Sequence, residues 1–429
     1  MTDTRETVET AYGVDGWGPR RPVDAGLLTR GGGDRFVLAL GGSLRWLVCG
    51  LAMISCGPRA AVTSGDDASG SDTGAVADLG GPTSLAPRRL VTADWLDGRL
   101  SVLDYEGFVT QGQSRDEALL AEIDLSAYAP GPLELAVTPD GRRAVVTAGP
   151  GFFQGGVGAL IGAGEVPGGG AVLVVDLLTG EVLAELATPE PPMGVVITQD
   201  GDTAYTANYG DEDAPGQTVT QIDLVTLEVV GSVLVGARPE QLALMGELLA
   251  VNAASDGTVV VLDTTANPPI VLGAALTSSD PSYPLWMEEF PDQVLMTDSQ
   301  GPGGVSLVDL TTPAMPASLT QLEVEGIPYA IDRVEDALEV VVLATRFTSV
   351  DLHRLTVGAF ELVSSGPPVS VAVGGFPLGV HVADNKAVFA VPGDALVVVV
   401  DLEDGQTSVH PWPSEPGPTF VAEAPAIDP

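Results

Sequence analysis

The chain has 429 residues, a formal net charge of −40 and a single lysine, Lys386. Such a surface repels nucleic acid and anionic lipid headgroups, which argues against polyanions as partners and for cations or basic ones. Its 53 glycines and 34 prolines suit an all-β fold rich in turns. Its two cysteines, Cys49 and Cys56, leave everything after Gly57 without disulfide or thiolate chemistry.

Residues 1–43 carry no periodic pattern. From Leu44 the text becomes LRWLVCGLAMISC: Arg45, an apolar run Trp46–Ile54, then the small Ser55 before Cys56. A charged start, a short apolar stretch and a small residue at the cut make a secretory signal, too short to span a bilayer comfortably. Met53-Ile54-Ser55-Cys56 resembles a bacterial lipobox, which implies diacylation of Cys56 as the mature N-terminus. Gly57 rather than Asp follows Cys56, similar to sorting to the outer membrane. The long preamble is expected to reflect a start codon assigned too far upstream, with translation beginning near Leu44. Residues 57–88 are rich in Ala, Ser, Gly, Asp and Thr and read as a flexible tether. The expected division is therefore 1–55 extension and signal, 56–88 tether, and 89–429 folded domain.

The domain is organised by repetition. PLELAVTPDG at Pro132 returns in varied form at Pro192, Pro239, Pro284, Pro328, Pro377 and Pro418. Apolar runs ending in Asp recur at Asp104, Asp176, Asp223, Asp263, Asp309, Asp351 and Asp401. Between them lie LVTAD at Leu90, AVVTA at Ala144, AYTAN at Ala204 and later variants. Short strands at this spacing predict a propeller of four-stranded blades. The lettering resembles the YVTN-type repeat of YncE-like and lactonase-like seven-bladed propellers over about Leu90–Pro425. Seven Pro-led strands predict seven blades. Since the text starts in a second strand and stops in a first one, a composite blade from both termini closes the ring and removes the free edge.

The Pro-led strand is the innermost of each blade in the resembling family. Counting from each Pro, position +3 is Leu135, Val195, Leu242, Met287, Ile331, Val380 and Val421, apolar throughout and so buried between blades. Position +4 faces the other way, toward the channel: Ala136, Val196, Ala243, Glu288, Asp332, His381 and Ala422. Glu288, Asp332 and His381 are the candidate catalytic or cation-binding set, since two carboxylates and an imidazole can exchange protons or hold a divalent cation such as Ca²⁺. Glu134, Gln241 and Trp286 at position +2 are expected near the same mouth as ligand-binding residues. Solvated channel polarity with no reaction is the plainer account of all of them. The glycine-rich insertion Gly149–Gly170 adds Phe152 and Phe153 as a candidate lid or contact patch. Each strand-ending Asp is expected to accept N–H groups of the turn that follows.

No G-x-S-x-G, H-E-x-x-H, P-loop or haem-attachment motif occurs, and there are three histidines, His353, His381 and His410. The expected function is a lipid-anchored, monomeric envelope propeller that binds or scaffolds without catalysis, its partner an envelope protein or a small molecule and no cofactor required. The alternative, from the resemblance, is a lactonase-like hydrolase at the channel mouth. Labelled palmitate should enter the wild-type chain in a bacterial host and not a Cys56→Ser variant; a mature protein that keeps residues 1–43 would overturn the export reading.

Overall fold

Alternating apolar residues need a sheet face to bury, and the antiparallel strands they form stack here as seven sheets. The computed structural model describes residues 86–427 apart from 150–169, 212–213, 278–279, 300–302, 347 and 415. The chain divides into Met1–Ser71 and Asp72–Pro429, and every described residue lies in the second unit.

From inner to outer strand, blade 1 is Pro132–Val137, Arg143–Ala148, Ala171–Asp176 and Val182–Leu186, and blade 2 is Val195–Ile197, Thr203–Gly210, Pro215–Asp223 and Glu228–Leu234. Blade 3 is Pro239–Met245, Leu248–Ala253, Thr258–Asp263 and Ile270–Leu276; blade 4 is Pro281–Trp286, Gln293–Asp298, Gly304–Asp309 and Ala317–Glu323. Blade 5 is Ile327–Arg333, Glu339–Thr345 and Val350–Gly358, with its outer position shared by Glu361–Ser364 and Val369–Val371. Blade 6 is His381–Ala383, Lys386–Val391, Leu396–Asp401 and Thr407–Pro411. Blade 7 is the composite: Phe420–Ala424 pairs with Arg89–Asp94, followed by Arg99–Asp104 and Leu119–Asp124. The seven inner strands touch one another in a closed circle. The protein is a seven-bladed β-propeller, and Ala86 extends the closure by bridging Ile427, three residues before the expected boundary.

All seven position +3 residues are buried, as their apolar character demanded. A second device joins the blades. A hydroxyl or amide near the end of a second strand donates to a backbone carbonyl of the next blade: Thr147 to Met193 (2.7 Å), Asn252 to Pro281 (2.7 Å), Thr297 to Tyr329 (2.6 Å) and Thr345 to Gly375 (2.6 Å). At the closure, Thr419 on the approach to the inner strand of blade 7 donates to Leu133 of blade 1 at 2.6 Å. These carbonyls lie where blades diverge and no ladder partner is available, so the side chain supplies the missing bond.

The turn Asps behave as the sequence predicts for most blades. Asp176 accepts from the N–H groups of Leu178 and Thr179, Asp223 from Val225 and Thr226, and Asp401 from Glu403. Asp351 departs from the series. It sits at the start of Val350–Gly358, not the end, is buried, and accepts from Arg346 Nε at 2.7 Å. The long third strand of blade 5 moved the turn to Phe360, which takes a positive φ of 58°. Where the Asp-Gly turn has degenerated, Asp336, Asp384 and Asn385 carry φ of 55°, 50° and 57°, the short polar side chains that tolerate this region best after glycine.

Thr297→Val should cost about 2 kcal/mol in denaturant unfolding, because it strips a buried donor from Tyr329 and an acceptor from the Tyr283 N–H without opening a cavity. An unchanged midpoint would show that the inter-blade bond is incidental.

Candidate functional site

Side chains on the inner strands alternate between the blade interfaces and the axis, so seven residues of one parity ring the channel. Toward the strand starts the axis is closed by apolar and aromatic packing. Trp95, Leu133, Met193, Tyr329 and Leu378, from five different blades or their approaches, form one cluster with Tyr209, Tyr283 and Phe376 against it. Tyr283 meets Tyr329 edge-on at 6.5 Å between ring centroids, and Tyr329 meets Phe376 at 4.9 Å. Toward the strand ends lies a cavity of about 390 Å³. Tyr283 lines it, with Leu285, Trp286, Ile331, Val380 and Phe420 among its apolar walls. Its ionisable side chains are Asp332, His381 and Glu423, besides the Tyr283 phenol.

Asp332 and His381 stand on neighbouring inner strands, at position +4 as counted from the sequence. His381 Nε2 donates to Glu423 Oε2 at 2.9 Å, and its Nδ1 lies 4.0 Å from Asp332 Oδ2. Asp332 accepts backbone N–H groups from Val382 and Arg333, each at 2.8 Å. Arg88 binds Glu423 through two nitrogens, pairs with Asp384, and lies over the Tyr105 ring at 3.8 Å. The side chains of Asp332, His381 and Glu423 keep 24%, 24% and 19% of their surface open to water.

These contacts push the two carboxyls apart. Burial within the channel raises Asp332, offset in part by His381 and its two backbone donors. Burial opposes ionisation of Glu423 too, but the bonds from His381 and Arg88 outweigh it and hold that group at about 2. The Glu423 hydrogen bonds hold its guanidinium partner Arg88 well above the usual arginine value, against the cost of burial.

Glu288 does not join this group. The inner strand of blade 4 is Pro281–Trp286, with Pro281 opposite Asp298 as Pro132 is opposite Ala148. The sequence holds two prolines three apart, and the later one, Pro284, is the +3 residue rather than the start. Leu285 therefore takes the channel position, and Glu288 is exposed in the following turn. Trp286 still reaches the cavity wall, its Nε1 donating to the Pro291 carbonyl at 3.1 Å.

Glu134 and Gln241 are not at the mouth either. They are 4% and 1% exposed and bonded to each other, Gln241 Nε2 donating to Glu134 Oε2 at 2.7 Å, while the Val195 N–H donates to Oε1 at 3.3 Å. This pair spans blades 1 and 3 across the short inner strand of blade 2. There Gly194 lets the blade 3 backbone approach: a Cβ would lie 2.4 Å from the Glu240 carbonyl oxygen. Burial pushes Glu134 up to about 8, and Glu240 far above the usual range, with the charge of Asp280 adding to the latter. Burial, then Glu134 and Asp332, also raise the Tyr283 phenol.

Phe152, Phe153 and Cys56 lie outside the described residues. Among the described residues no three His, Cys, Asp or Glu side chains converge as a cation cage. Sequence reasoning missed Glu423, Arg88 and Tyr283. Glu423 sits one place beyond the last position counted from Pro418. Arg88 was assigned to the tether, although two successive arginines, Arg88 and Arg89, where the first strand of so acidic a chain begins were a signal.

No protein-family model and no curated protein matches this sequence. Solved structures do resemble it. A functionally unknown protein from Desulfotomaculum acetoxidans aligns with a TM-score of 0.60 at 14% identity, over 79% of this chain and 99% of that one. A hydrazine synthase of Kuenenia stuttgartiensis aligns at 0.50 and 15%, over 64% and 77%. The Cps50 (Swd1) β-propeller domain of Myceliophthora thermophila aligns at 0.51 and 12%, over 66% and 87%. At these identities the likeness is one of fold.

Glu134→Gln should stabilise the protein increasingly as pH rises from 5 to 8. Because the folded-state value lies above the unfolded one, the native state alone keeps the proton in that window, and stability falls as pH rises through it. By pH 8 the variant should gain on the order of 3 kcal/mol in urea unfolding relative to wild type, and no difference below pH 4. A pH-independent difference would assign the effect to packing.

Proposed function

We propose that this chain is an exported, lipid-anchored propeller that binds a small molecule in its central channel and does not transform it. The observation that carries the reading is the cavity itself: about 390 Å³, walled mainly by aliphatic and aromatic side chains, with a few polar groups converging on it. Those are the properties of a small-molecule pocket, whose volumes run from about 300 to 1,000 Å³. Binding is supported over catalysis by the lack of a free pair of carboxylates to serve as acid and base: Glu423 is committed to Arg88 and His381, which leaves Asp332 as the one carboxylate of the cavity open to a ligand. The lipid anchor and the outer-membrane destination rest on Cys56 and its flanking residues.

A lactonase-like hydrolase is the second reading, favoured by the proximity of Asp332 to His381 inside one cavity. The two separate in one comparison. A metabolite panel screened by thermal shift should give ligands that stabilise the wild type and not Ala422→Leu, which fills the channel. A lactone panel should show no turnover above background in either wild type or His381→Ala. Lactone turnover that disappears in His381→Ala would replace binding by hydrolysis, and ligands indifferent to Ala422→Leu would move the site elsewhere.

A further inference from the structure

We infer that the channel ligand is an organic monocation, a quaternary or hindered ammonium carried on a small apolar body. The inference rests on the channel-binding reading above and narrows it to one chemistry.

Three features of the cavity point the same way. The first is the balance of charge at its mouth. Asp332, Glu423, Asp384 and Glu335 stand against Arg88 and Arg333, and a protonated His381 would still leave an excess of negative charge. Arg88 is spent on Glu423 and Asp384, so its guanidinium is not offered to a ligand anion. Asp332, by contrast, makes no ion pair with an arginine or lysine among the described residues, and its side chain keeps 24% of its surface open. The second feature is the placement of the open carboxylate. Asp332 and Tyr283 line the same cavity, so the uncompensated negative group faces the space that a ligand would fill. The third is the lining. Tyr283, Trp286 and Phe420 bring three aromatic rings to one cavity, and rings attract a cation through their quadrupoles where a carboxylate or a sugar gains nothing comparable. A compact, strongly hydrated metal ion would need several oxygens in a shell, and no such group converges among the described residues. A bulky, weakly hydrated ammonium needs only a counter-charge and apolar walls. The net charge of −40 draws such a cation toward the molecule from a distance.

Choline and 3,3-dimethylbutan-1-ol are a matched pair of probes, equal in shape and differing in the charge of one atom. Calorimetric titration of the full chain, with sodium chloride matched in both cells, should give choline at least about tenfold tighter than the alcohol. Asp332→Asn should bring the two to within about twofold, and Ala422→Leu should abolish both. Phe420→Leu, which keeps the counter-charge and most of the volume, should weaken choline selectively and so guards against an Asp332 variant that folds poorly. Equal binding of both probes to wild type would overturn the cationic class and leave channel binding standing. Binding of neither probe, together with a metabolite screen whose hits ignore Ala422→Leu, would overturn both.

Discussion

The side-chain donor that crosses from one blade to the next at five of the seven interfaces is the contact on which the rest of the molecule depends. A blade is a twisted sheet whose inner strand leans away from its neighbour, so the carbonyls at the strand starts face a gap that no ladder can fill. A Thr or Asn on the second strand reaches over and closes it, at 2.6 to 2.7 Å in each case. The bond fixes more than spacing. It sets the rotation of the inner strand about its own axis, and with it which side chains look into the channel. Asp332 and His381 share a cavity because Thr297 and Thr345 pin the strand of blade 5 and the approach to the strand of blade 6.

The axis is unusually acidic for so enclosed a space, and the molecule manages that in two ways. Where a cation can reach, as Arg88 does, the carboxylate stays ionised. Where none can, as at Glu134, burial makes retention of a proton cheaper than charge, and an amide partner completes the hydrogen bonding. The same pressure that makes Glu134 neutral makes the channel inhospitable to anions. Structural economy at the floor and the selectivity proposed for the mouth thus have one electrostatic origin.

Most of the fold was legible in the sequence, because propeller repeats write their period directly into apolar residues, turn glycines and strand-ending acids. Position +3 was buried in all seven blades, although in blade 4 the residue that holds it is Pro284 and not Met287. The site was legible only where the register was. Asp332 and His381 follow a single proline and stand where the count placed them, on the channel side. Glu288 was misread because Pro281 and Pro284 offered two starts, and a shift of three moves a residue to the other face of the strand and past its end. Glu134 and Gln241 were recognised as polar residues near the axis, yet they meet each other only because Gly194 and Val195 of blade 2 let blades 1 and 3 approach, which no local pattern records. Asp351 carried the right letter in the wrong place for the same reason: a strand that runs long looks, in text, like one that stopped.

The composite blade has a consequence in time. Arg88 and its partner Glu423 are separated by 335 positions, and the strand beside Arg88 has its inner neighbour only in the last residues of the chain. At about 5–20 residues per second, a nascent chain waits roughly 20 to 70 s between making Arg89–Asp94 and making the strand that covers it. Through that interval one blade has an open edge and six blades have no ring. The strand that carries Phe420, Ala422 and Glu423 supplies part of the cavity wall beside Asp332 and His381, so the site is completed by the same docking event that closes the ring.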